Sequence, residues 1–113
     1  MKKFRLNLSE YEVELNNEKK EIIVYPIREN YSEFLRAAGM FKNSAELVEA
    51  IMFAKRIRDN SADSMVLDEK EANTLRRVIN RHLELTAEGR GCLGGSVHEE
   101  AICRVVNMEE ITE

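Results

Sequence analysis

Tryptophan is absent from this 113-residue chain, proline occurs once and cysteine twice. Two cysteines cannot build the dense disulfide framework of a small secreted domain, so Cys92 and Cys103 are expected as free thiols in a reducing cytoplasm. No apolar run approaches the roughly 20 residues that a membrane span needs. The start, Met1-Lys2-Lys3-Phe4-Arg5, leads into polar alternation without the apolar stretch of a signal peptide, and no membrane partner is expected. There is no internal repeat and no low-complexity tract.

A basic excess is missing as well. The formal net charge is −4, whereas nucleic-acid binding draws its affinity from neutralised phosphates. Basic clusters do occur, at Lys55, Arg56 and Arg58 and again at Arg76, Arg77 and Arg81. They share their segments with Glu46, Glu49, Glu69, Glu71 and Glu84, the pattern of a solvated helix surface with i,i+4 ion pairs. A nucleic-acid accessory role would have to pool Lys55, Arg58, Arg77 and Arg81 on one face.

What is present suits a small globular fold. Apolar residues make up 43% of the chain, enough for a core without metal or disulfides. Length predicts one domain over 1–113, β-rich over 1–27 and helical over 30–110. Phe4, Leu6 and Leu8 alternate with polar residues, as do Tyr11, Val13 and Leu15 with Glu10, Glu12 and Glu14. Period two of this kind marks half-buried strands. The apolar phase slips between Leu8 and Tyr11, which predicts a bulge or turn at Ser9-Glu10. A polar turn over 16–20 leads to a third strand, Ile22 to Ile27, which Pro26 should close because it has no N–H to donate. A two- or three-stranded antiparallel hairpin or meander follows.

Four helices are expected after it. Asn30 with Glu33 caps the first, whose stripe is Tyr31, Phe34, Leu35 and Ala38, and Gly39 ends it with Met40 folding back on Leu35. Asn43 with Glu46 caps the second, with Leu47, Ala50, Ile51, Ala54 and Ile57 facing inward. Residues 59–64 read as a polar loop. Asp68 with Glu71 opens the third helix, which buries Ala72, Leu75, Ile79, His82 and Leu83. Ser96 with Glu99 opens the fourth, with Ala101, Ile102, Val105 and Val106 inside, and 108–113 is expected to fray. The fold class is therefore α+β, a β-hairpin or meander followed by about four helices packed as helical hairpins.

Motifs that would carry chemistry fail on context. Gly89-Arg90-Gly91-Cys92-Leu93-Gly94 spells a dinucleotide fingerprint, but no strand precedes it and no βαβ unit can follow. Gly89, Arg90, Gly91, Gly94 and Gly95 are read instead as a mobile inter-helix loop. Every histidine and cysteine lies between His82 and Cys103, and His82, Cys92, His98 and Cys103 are together the right types for zinc. No C-x-x-C pair is present, and His98 and Cys103 would stand about 140° apart on one helix. The two histidines are read as ends of apolar stripes, hydrogen-bonded to carbonyls. Cys92 with His98, or Ser96 with His82, lacks an orienting third group and an oxyanion hole, so no catalytic activity and no cofactor are expected. Glu10, Glu12 and Glu14 read as the solvated side of a sheet.

The second helix gives the sharpest functional signal. Val48, Met52 and Lys55 fall off its main stripe, so with Phe53 it is apolar on more than one side. Methionine suits a surface that adapts to a partner. Val48, Met52 and Phe53 are thus candidate interface residues for a non-catalytic interaction or assembly domain, whose expected partner is a second copy. The order of elements, a β-hairpin leading through Pro26 into an acidic helical body, is similar to that of small phage-encoded accessory proteins such as tail-assembly chaperones. That likeness covers element order and no motif, and it implies an assembly role.

Overall fold

A computed structural model describes residues 2–16, 21–37, 41–87 and 96–111. The chain runs β1 (Lys3–Asn7), β2 (Glu12–Asn16), β3 (Glu21–Val24), α1 (Ile27–Arg36), α2 (Ser44–Asp59), β4 (Ser64–Asp68), α3 (Glu69–Ala87), a single 3-10 turn at Ser96–His98, α4 (Glu99–Val106) and β5 (Glu109–Ile111). The α+β class read from the sequence is present, with strands leading into helices.

The strands do not form one meander. β1 lies at the centre of a three-stranded antiparallel sheet in the order β4-β1-β5, while among the described residues β2 and β3 pair only with each other. Of the bulge or turn expected at Ser9-Glu10, the phase slip is a turn, and it carries the chain from one sheet to the other. Asn7 Oδ1 accepts from the Ser9 N–H at 2.9 Å and the Ser9 hydroxyl at 2.7 Å, holding the turn that redirects the chain. The irregularity in strand pairing sits further on, between Glu14 and Asn16.

β4 lies between the polar loop expected over 59–64 and the helix cap expected at Asp68, where no strand was expected. Its register sets Leu67 opposite Phe4 and Met65 opposite Leu6, so the apolar residues of both strands share one face. β5 replaces the expected frayed tail. Glu109 pairs with Arg5 in the strand register and also by an ion pair at 3.2 Å, and Met108 before it is buried. Neither strand could be read locally, because each is short and its partner is distant in sequence.

Helix starts follow capping chemistry in two of four cases. Asn43 Oδ1 accepts from the Glu46 N–H at 2.9 Å. Asp68 and Glu71 form a reciprocal box, with Glu71 N–H donating to Asp68 at 2.7 Å and Asp68 N–H donating to Glu71 at 3.1 Å. α1 instead begins three residues before Asn30, at Ile27. Pro26 presets the entry, and its carbonyl accepts the Asn30 N–H at 2.9 Å. α4 begins after His98 rather than at Ser96, since the 3-10 turn carries the chain into it. Ala38, Gly39 and Met40, expected to form the end of the first helix, lie outside the described residues.

One hydrophobic core joins these elements. Leu6 and Leu8 from the β1 segment, Tyr31 and Leu35 from α1, Ala54 and Ile57 from α2, Leu75 and Ile79 from α3, and Ala101 and Val105 from α4 are all buried in it. Two stripes are rotated from expectation. α3 buries Val78 and exposes Leu83, and α4 leaves Val106 in solvent. Among the described residues, no helix is long and apolar enough to cross a membrane.

Candidate functional site

The inner face of α2 is Ala50, Phe53, Ala54 and Ile57, the i, i+3, i+4, i+7 set. Phe53 is thus a core residue, 4% exposed, which corrects its expected place in an interface. By the 3.6-residue turn it stands about 100° around the helix from Met52 and about 140° from Val48, so it cannot share a face with Val48. Val48 and Met52, at 55% and 62% exposure, remain outside with Lys55 on the same line at i, i+4 and i+7. Leu47, expected inside, is also exposed on the flank of this line.

Beside that face, a groove of about 890 Å³ separates α2 from α3. Phe41, Ala50, Met52 and Phe53 contribute apolar surface, and seven charged residues from the two helices line the rest with Asn73 and Thr74. Arg56 pairs with Glu71 across it, and Lys70 Nζ meets Glu49 at 2.8 Å. Glu49 raises the Lys70 pKa, first by accepting that hydrogen bond. The guanidinium of Arg77 lies 5.3 Å from the Phe41 ring centre, and that of Arg56 5.5 Å from Phe53. Cations here stack on rings or pair with carboxylates, so the groove has alternating charge over an apolar floor.

A second cluster lies where β3, α1 and α4 meet. Tyr25 and His98 hydrogen-bond through the phenol and Nδ1 at 2.7 Å. Tyr11 stacks on Tyr25 with ring centres 5.1 Å apart, and the Arg104 guanidinium covers Tyr11 at 4.5 Å. Arg104 also donates to the Ser9 carbonyl at 2.7 Å, so it ties α4 to the turn between the sheets. The Tyr31 hydroxyl donates to the Ala101 carbonyl at 2.6 Å. Burial pushes the Tyr11 and Tyr31 pKa values well up, and burial lowers that of His98. These phenols stay neutral; Tyr31 acts as a hydrogen-bonding strut, whereas the buried Tyr11 hydroxyl has no hydrogen-bond partner among the described residues and is held by ring stacking. The sequence offered no sign of this cluster, since its members are spread from residue 9 to 104 and each had an ordinary place in an apolar pattern.

His82 and His98 both rest on the Phe34 ring, at 5.2 and 5.8 Å between centres. His82 is buried, with Nε2 3.1 Å from the Phe34 carbonyl oxygen. Cys103 is exposed on α4. Cys92 and the glycine-rich segment, Gly89, Arg90, Gly91, Gly94 and Gly95, lie outside the described residues. Among the described residues, no three His, Cys, Asp or Glu side chains are grouped as a metal site would need.

The basic residues do not converge on one free patch. Arg77 sits in the groove, Arg81 pairs with Glu84 at 3.1 Å, and Arg58 pairs with Asp59 at 3.3 Å. Lys55 alone of the four stands on the outward line of α2 without an ion-pair partner among the described residues. No protein-family model, no curated protein and no solved structure matches this chain.

Proposed function

We propose that this chain is a non-catalytic protein–protein interaction domain, working in the cytoplasm, whose binding surface is the outward line of α2 and whose first partner is a second copy. One observation carries the reading: α2 is apolar on two opposite sides. Its inner side is consumed by the core, and its outer side leaves Val48 and Met52 more than half exposed. An adaptable methionine at the centre of that line suits a surface that must fit a neighbouring chain. The histidines support a binding role over catalysis, since both are engaged in structural contacts with Phe34 or Tyr25.

Sedimentation equilibrium from micromolar to millimolar concentration tests this. The expected result is a mass that climbs above 13.1 kDa with concentration and returns to it in Met52→Glu. A mass of one chain at every concentration, or an unchanged assembly in Met52→Glu, would overturn it.

A further inference from the structure

Period two in β2 and β3 divides their ribbon into two faces. Val13 and Ile23 stand opposite each other, half-buried, with Val13 packed against the core. The other face holds Glu12 opposite Val24 and Glu14 opposite Ile22. Ile22 is 61% exposed and Val24 54%, beside two carboxylates. A two-stranded ribbon with β-branched residues in solvent is a sticky and marginal element unless something covers it.

The outward line of α2 has the complementary chemistry: Val48 and Met52 supply apolar surface, and Lys55 supplies a cation. Glu12, Glu14 and Lys55 all lack ion-pair partners among the described residues. We propose that the outer face of the β2–β3 ribbon is the surface onto which α2 of a second copy docks, so that copies associate head to tail. This rests on the reading of α2 as the interaction surface and names what it binds.

Charge decides among the possible self-pairings. Ribbon against ribbon would bring the carboxylates of both copies together with no cation among the described residues of that face. α2 against α2 in antiparallel register would set Lys55 over Val48 and leave Ile22 and Val24 uncovered. Only α2 against the ribbon places apolar on apolar and Lys55 near Glu12 or Glu14. Such a contact uses two different patches, so it propagates into a ring where the rotation closes and into an open series where it does not.

The test uses two variants of the full chain, Val48→Glu with Met52→Glu, and Ile22→Lys with Val24→Lys. All four positions are exposed, so urea midpoints should stay near that of the parent. Each variant alone should sediment as one chain, and a mixture should form a one-to-one dimer that grows no further. That pattern arises because each variant keeps one intact patch. Charge changes alone provide a second route that leaves the apolar positions untouched. Glu14→Lys should weaken self-association by about tenfold or more, and combining it with Lys55→Glu should recover part of that loss. If the ribbon variant assembles like the parent while the α2 variant does not, the ribbon proposal falls and the α2 reading stands. Two monomeric variants that fail to recombine would also overturn head-to-tail docking. A parent chain that never self-associates would overturn both readings.

Discussion

The phenol of Tyr25 lies 2.7 Å from Nδ1 of His98, joining the end of the β2–β3 ribbon to the start of α4 across 73 residues of sequence. The bond runs from the phenol to Nδ1 in one tautomer of neutral His98 and from Nδ1–H to the phenol oxygen in the other. Removing the phenol leaves that nitrogen without its partner. Tyr25→Phe should lower stability by about 1–2 kcal/mol in urea unfolding. An unchanged midpoint would show that the bond does not hold the two elements together.

The same histidine sets a pH dependence. Burial lowers its pKa in the folded chain below the ordinary 6.5, so the unfolded chain binds the proton more readily. Its contribution is complete above that ordinary value and is lost as pH falls below it. The urea midpoint should fall from about pH 7.5 to about pH 5.5, and the fall should be shallower in His98→Gln. Equal slopes in parent and variant would assign the effect elsewhere.

The two neighbours Phe53 and Met52 should behave oppositely. Phe53→Ala empties a core position and should cost about 3–5 kcal/mol. Met52→Ala should change stability by no more than about 0.5 kcal/mol while weakening self-association. Comparable destabilisation by both would mean that α2 is turned differently against the core.

The reciprocal box at α3 gives a local prediction. Asp68→Ala should cost about 1 kcal/mol, and Asp68→Asn much less, because the amide oxygen still accepts from the Glu71 N–H. Glu71→Ala should also release Arg56 from its pairing across the groove. Thermal melting of the three variants measures the order.

Met108 and β5 are structural. Met108 is buried beside β5, so Met108→Ala should destabilise by about 2 kcal/mol or more. A frayed terminus would leave the melting temperature where it was.

Local rules carried the sequence reading a long way. The strand alternation of Phe4, Leu6 and Leu8, the cap at Asn43, the box at Asp68 and Glu71, and the exposed Val48 and Met52 all depend on residues within a turn or two of each other. Such interactions are written in neighbouring side chains, and the fold preserves them. What only the tertiary structure decided was the pairing of distant segments. β1 takes β4 and β5 rather than β2 because Leu67 and Met65 supply the facing apolar residues and Glu109 meets Arg5, contacts no short window can contain. The inward turn of Phe53 was decided the same way. A helix apolar on two sides has no preferred inner face of its own, and packing against the rest of the core chose one.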